Sequence, residues 1–236
     1  MPRNVIPVPA STHPLTNAPP TILSLAEAAD VTSTGDLWLF RGRKAADRAI
    51  RVFTNSPVNH VAMVVAIDDL PPLLWHAELG QSMPDAWTGA PHRGAQLHRL
   101  EDAVNTWVHR YGQTPYFRQL DHEVTRDMED EVLRVVNEYD GHRFPRTGAL
   151  ARHWLFGRLR RGVPLEDIYC AELVALTYQR MGLLDAKRPV NWYDPGTFWS
   201  GDKLELSAGA NLGKEIAVRV PTPAAEPAAA SPGAGR

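Results

Sequence analysis

The chain has 236 residues, 44% of them hydrophobic and 22% charged, which provides the apolar material for one packed domain or two small ones. Lysine and arginine number 25 against 27 acidic residues, a formal net charge of -2, so the basic footprint of a phosphate-backbone binder is excluded. No apolar run approaches the roughly 18 to 20 residues of a transmembrane helix, and the longest, 61–67, has the length of a strand.

The opening residues lack the compact apolar stretch of about 7 to 15 residues of a secretory signal, which points to a cytoplasmic protein. Residues 1–30 carry Pro2, Pro7, Pro9, Pro14, Pro19 and Pro20 and read as a largely irregular arm. Residues 31–220 form one domain, and 221–236, built of Pro, Ala and Gly with few other residues, read as a disordered tail. Within the domain, 36–40 reads as a strand and 44–53 as a helix stopped by Asn55, Ser56 and Pro57. A β-branched strand over 60–67 follows. Pro71 and Pro72 turn the chain into a returning strand over 73–79, so the two are antiparallel neighbours. Leu120, Val124, Met128, Val132, Val135, Val136 and Tyr139 keep a helical stripe that ends at Gly141. A second helix spans 171–181 with Gly182 as its stop, and a last strand covers 215–220. This mixture of antiparallel strands and separate helices is α+β.

One cysteine, Cys170, rules out an internal disulfide and any zinc site with two thiolates. Its place at a helix N-terminus gives a thiol the positive end of the macrodipole and free backbone N–H groups, both favourable to a thiolate and to an oxyanion. A nucleophilic thiol also needs an imidazole base held by a third polar group. Of nine histidines, His60 opens an apolar strand, whereas His92, His98, His109, His122, His142 and His153 lie in polar or loop-like surroundings. His76 and Glu78 share a face of the returning strand by the two-residue period, and either can orient His60. The other reading of these residues is structural, with Cys170 a small core side chain and His60 a satisfied polar group. Glu172 suits the helix dipole and a cap. Tyr169 either lines the oxyanion site or packs. A metal at His60 and His76 lacks a third ligand, so no metal and no cofactor are expected.

Several ordered segments resemble one family. They are Gly35-Asp36-Leu37-Trp38-Leu39-Phe40, Thr54-Asn55-Ser56-Pro57-Val58-Asn59-His60-Val61-Ala62-Met63, Leu74-Trp75-His76-Ala77, Gly141-His142-Arg143-Phe144 and Tyr169-Cys170-Ala171-Glu172-Leu173-Val174. Their order resembles the circularly permuted branch of the NlpC-type papain-like hydrolases, which includes YiiX-like proteins and, more distantly, lecithin:retinol acyltransferase. The resemblance implies a permuted papain-like fold, an antiparallel sheet packed against the cysteine-bearing helix, with Cys170 as nucleophile and His60 as base. His76 stands where many of these relatives carry Glu. The activity implied is cleavage of an amide or ester through a thioester, on a cell-wall peptide, an amino-acid conjugate or a lipid. Acyl transfer by the same triad, and an inactive binding or structural module, are the alternatives. A Cys170 thiolate paired with a His60 imidazolium is expected to lower the thiol pKa and raise that of the imidazole. Trp192 and Tyr193, in a turn-rich loop after the cysteine helix, are candidate substrate contacts.

Overall fold

The computed structural model describes residues 22–44, 48, 51, 55–67, 70–78, 80–143, 156 and 168–222. In chain order the elements are β1 (Ile22–Ser24), α1 (Leu25–Val31), β2 (Leu37–Arg41), β3 (His60–Val65), β4 (Leu73–Glu78), β5 (Gly94–Arg99) and α2 (Leu100–His109). They continue with β6 (Thr114–Arg118), β7 (Leu120–Asp121), α3 (Arg126–Tyr139), α4 (Cys170–Arg180), β8 (Asn211–Leu212) and β9 (Ile216–Arg219), with three short 3-10 turns between α4 and β8. Seven strands form one sheet in the order β1-β9-β6-β2-β3-β4-β5, and β7 and β8 form a separate ribbon.

The α+β class holds, with one correction: the sheet is mixed, because β1 runs parallel to β9 while its other neighbours pair antiparallel. The β3–β4 hairpin has the expected sense, with Met63 opposite Trp75. The boundary of the irregular arm is also corrected. Residues 22–31 are a strand and a helix, because Ser24 caps α1 in a reciprocal box with Glu27 and Leu25 and Ala28 are buried. Most of the helix over 44–53, the rest of the arm and most of the tail lie outside the described residues. The helical stripe starts later than its period implies. Thr125 accepts the Met128 N–H as the N-cap of α3, while Leu120 upstream pairs with Leu212 in the ribbon.

The central strands are buried on both faces, which explains their nearly unbroken apolar runs. One face presents Leu37, Leu39, Val61, Met63, Trp75 and Ala77 to α3 and α4. The other presents Trp38, Phe40, Ala62, Val64 and Leu74 to α1 and α2. Buried polar groups tie the layers. Asp36 accepts N–H bonds from Ser33 and Leu120 (both 2.8 Å), and the Tyr178 hydroxyl donates to the Gly35 carbonyl (2.5 Å). The Arg118 guanidinium donates to the carbonyls of Phe198, Leu212 and Gly213 and so pins the segment after α4 to β6.

The outer edge of β5 is covered by the turn after α3: the Ala95 N–H donates to the His142 carbonyl and the Gly141 N–H to the Ala95 carbonyl (both 2.9 Å). Gly94 sits there at φ +104°, and a Cβ on it would lie 1.7 Å from the His142 carbonyl oxygen. Gly94→Ala should therefore cost about 3 kcal/mol, a fall in melting temperature of roughly 6 to 12 °C. Gly112→Ala, at φ +68° but with nothing within 4 Å, is the control and should cost only the backbone strain of about 1 to 2 kcal/mol. Equal losses in thermal unfolding would show that the β5 edge does not impose the glycine.

Candidate functional site

Cys170 is the first residue of α4, as its sequence position implies. Tyr169 and Glu172 set this helix end. The Glu172 carboxylate accepts the Tyr169 N–H (3.3 Å), and the Tyr169 hydroxyl donates to the Tyr193 carbonyl. Both residues thus take their packing and capping roles, with Glu172 fully buried. The thiol rests against the backbone N–H of Val61 and those of Ala171 and Cys170 itself. These amides favour the thiolate, but burial outweighs them and pushes the Cys170 thiol up to about 12.

His60 follows the opposite course. Residue 60 pairs with Phe40 and alternates with Val61, so its ring turns toward α2 while Val61 turns toward α4. It stands edge-on to Trp107 of α2, centroids 4.6 Å apart, and 5.5 Å from the ring of His76. Burial lowers its pKa to about 3, and its Nε2 has no hydrogen-bond partner among the described residues. The expected thiolate–imidazolium pair is thereby corrected: thiol and imidazole are both neutral, and no hydrogen bond joins them. The thiol reaches β3 from the α4 side, at Val61, one residue from a histidine that faces the other layer.

The third position is also redirected. His76 is fully buried, and its Nε2 bonds Nδ1 of His98 (2.9 Å) instead of His60. Its pKa is driven down by burial and by the neighbouring His98 and His60. Glu78 accepts the Trp107 indole N–H (2.8 Å), and burial raises its pKa. The structure therefore assembles His60, His76, His98, Glu78 and Trp107 in one layer, with Cys170 at the opposite face of β3. His98 corrects the sequence reading, which placed it in polar, loop-like surroundings. The alternation of Ala95, Leu97 and Arg99 with Gln96 and His98 on β5 was the available signal, since it puts His98 on the His76 face.

Ser56 and Asn59, in the segment before His60, have structural work. The Ser56 hydroxyl donates to the Val58 carbonyl (2.5 Å), and Asn59 Oδ1 accepts the Gly42 N–H (2.5 Å). Trp192 and Tyr193 do border a cleft of about 580 Å³, together with Leu184, Arg188, Leu204 and Glu205. The Arg188 guanidinium lies 4.4 Å above the Trp192 ring. Tyr193 links this cleft to the cysteine helix through the Tyr169 hydroxyl. Of the described residues, no helix is long and apolar enough to cross a membrane.

No family model matches the chain, and no curated protein matches it either. Among solved structures it is distantly similar to the metalloprotein yiiX from Escherichia coli O157:H7, at 16% identity and a TM-score of 0.40. The match covers 63% of this chain and just under two thirds (66%) of that one.

Two outcomes follow from the ionisation of these groups. Iodoacetamide should alkylate Cys170 in the folded protein at pH 8 at least a hundredfold more slowly than in the urea-unfolded chain, since the buried thiol is held neutral. Equal rates would show an open thiol. The buried histidines bind protons when the chain unfolds, at about 6.5, but in the fold His60 does so only at about 3 and His98 at about 4. At these histidines the unfolded chain thus binds more protons between those values, so their contribution to stability is complete above pH 6.5 and falls as the pH drops toward 4. Urea titrations should show this fall, smaller in His98→Gln; an unchanged slope in that variant would remove His98 from the cause.

Proposed function

We propose that the chain is a cysteine-dependent hydrolase of an amide or ester bond, on a permuted papain-like fold, whose thiol stays protonated until substrate enters. The observation that carries this reading is the seating of the Cys170 thiol, at the N-terminus of α4, on the backbone N–H next to His60, with His76 across on β4. The three residues follow the order in which the family resemblance places its nucleophile, base and third group. Backbone N–H groups at this helix end supply donors for an oxyanion.

The reaction requires the start of β3 to rearrange, because His60 faces the α2 layer and the thiol the α4 layer. With the imidazole brought to the α4 side, it takes the Cys170 proton as sulfur bonds to the substrate carbonyl carbon. The tetrahedral intermediate collapses, the carbon–nitrogen or carbon–oxygen bond breaks, and the imidazolium returns the proton to the leaving group. Water, deprotonated by His60, then attacks the thioester, releasing the acid and restoring the S–H group. An acceptor alcohol or amine in place of water makes the same sequence an acyl transfer. The cleft beside Trp192 and Tyr193 is the substrate-side wall in this reading, for a peptide, an amino-acid conjugate or a lipid acyl group.

A second reading, a binding or structural module without turnover, is favoured by one observation. The His60 ring packs against Trp107 and makes no hydrogen bond to the thiol.

An electrophilic acyl probe separates the two. At pH 7 the hydrolase should label at Cys170 stoichiometrically while folded, with Cys170→Ala unlabelled and His60→Gln at least about a hundredfold slower. Labelling confined to the urea-unfolded chain would establish the module instead. Circular dichroism of each variant shows whether a lost label reflects a lost fold.

A further inference from the structure

A second cluster of polar side chains lies away from the thiol, at the outer edge of the sheet. The loop between β4 and β5 bends back on β5, with the Ala86 N–H donating to the Leu97 carbonyl (2.7 Å) and Asp85 Oδ1 accepting the Leu97 N–H (2.6 Å). Asp85 is thereby fixed and buried at the base of the loop. Asp140, the residue that ends α3, approaches from the other side with its side chain 8% exposed. Between them stands His92. Its Nε2 lies 3.9 Å from Asp85 Oδ2 and 3.8 Å from Asp140 Oδ1, and one ligand atom from each residue falls within 4.8 Å of the others.

These separations are too long for hydrogen bonds. His92 Nε2 and Asp140 Oδ1 are both buried and have no hydrogen-bond partner among the described residues. The His92 Nδ1 faces its neighbour's carbonyl, that of Arg93, at 3.4 Å, where an N–H on Nδ1 leaves the Nε2 lone pair aimed at the two carboxylates. Three electron-pair donors then converge with no proton between them. A zinc ion bound at about 2.0 to 2.2 Å by nitrogen and carboxylate oxygen spaces its tetrahedral ligands about 3.4 Å apart, so the two histidine–carboxylate separations need to close by about half an ångström and the carboxylate–carboxylate separation, within 4.8 Å, by at most about 1.4 Å.

The geometry points to a divalent-cation site, of zinc type, formed by Asp85, His92 and Asp140.

The surroundings suit such an ion. Asp85 Oδ2 accepts the N–H groups of Trp87 and Thr88 and the Thr88 hydroxyl, which fixes its carboxylate as an outer shell does at a metal ligand. The Thr88 hydroxyl has a second acceptor in the Ala90 carbonyl (3.4 Å), so it can turn away and release a lone pair on Asp85. The C-terminal end of α3 adds the negative end of its macrodipole next to Asp140. The His92 side chain is 23% exposed, leaving a route for the ion and room for water as the fourth ligand. An ion held there ties the β4–β5 loop to the end of α3.

The test is calorimetric titration of ZnCl2 into tag-free, chelator-stripped protein. One saturable site per chain with a dissociation constant of micromolar or below is expected, with a higher melting temperature in zinc. Asp140→Asn and His92→Gln should each weaken binding at least tenfold while keeping the circular dichroism of the parent, and two variants guard against one failing to fold. Cys170→Ser and His76→Asn should bind as the parent does, which separates this site from the thiol and from the buried histidine row. Absence of saturable binding to the folded parent would overturn the assignment. So would unchanged affinity in both Asp140→Asn and His92→Gln, or loss of the site in Cys170→Ser or His76→Asn. Because no acyl chemistry is read, the result stands apart from the fate of the hydrolase reading.

Discussion

Successive side chains of a strand go to opposite faces, and in β2, β3 and β4 both faces are covered. Each apolar pair along β3 therefore serves two cores, Val61 and Met63 under α4 and Ala62 and Val64 under α2. The same rule governs the polar residue at the strand's start. A shift of register by one residue would exchange the two layers, burying His60 among the aliphatics under α4 and turning Val61 toward Trp107. The pairing of β3 with β2, Phe40 opposite His60, prevents that shift. Cys170 meets β3 at a main-chain group, which belongs to neither face.

The α2 layer is unusual in what it encloses. Trp107 has Phe40, His60 and His76 packed on it as edge contacts and donates its indole N–H to Glu78. Aromatic rings at such angles set partial positive edges against π faces, which gives the imidazoles favourable neighbours without charging them. Neutral histidines in a dry layer are compatible with stability only while they stay neutral, and the bond from His76 to His98 fixes one tautomeric relation between the two. Bringing His60 to the thiol would require the start of β3 to turn over as well as the loss of its contact with Trp107, so strand register and tryptophan packing together hold the imidazole away from the sulfur.

The elements with long, unambiguous periods were legible in the sequence. The β3–β4 hairpin, the helix after Thr125 and the helix opening at Cys170 follow from alternation, from a stripe of valines and from a glycine stop. The strand β5 and helix α2 were not read, because Gln96 and His98 interrupt the apolar pattern of an edge strand whose inner face is buried. Helix α2 begins directly after β5 without a side-chain cap, so no local signal marks the change of period. The parallel partnership of β1 and β9 joins the two ends of the domain, and no pattern within either strand encodes it. At the site, residue types and their order were visible. The face of the sheet to which each side chain points depends on register with strands far away in sequence, and the acidic partners of His92 come from a loop and a helix end that only the fold brings together.

The same β1–β9 partnership bears on how the protein is made. Residues paired there are about 195 positions apart, and closing a flexible loop of that length costs roughly 5 kcal/mol of chain entropy before any contact forms. During synthesis β6 therefore waits with one side bare until β9 emerges, and β1 waits longer still, for β9 to dock. The strand that arrives last is also the one that closes the sheet over Phe117. A chain that stalls before residue 216 would present the flank of β6 as an open template for other strands, so this domain's exposure to aggregation lasts until β9 has been made and has docked.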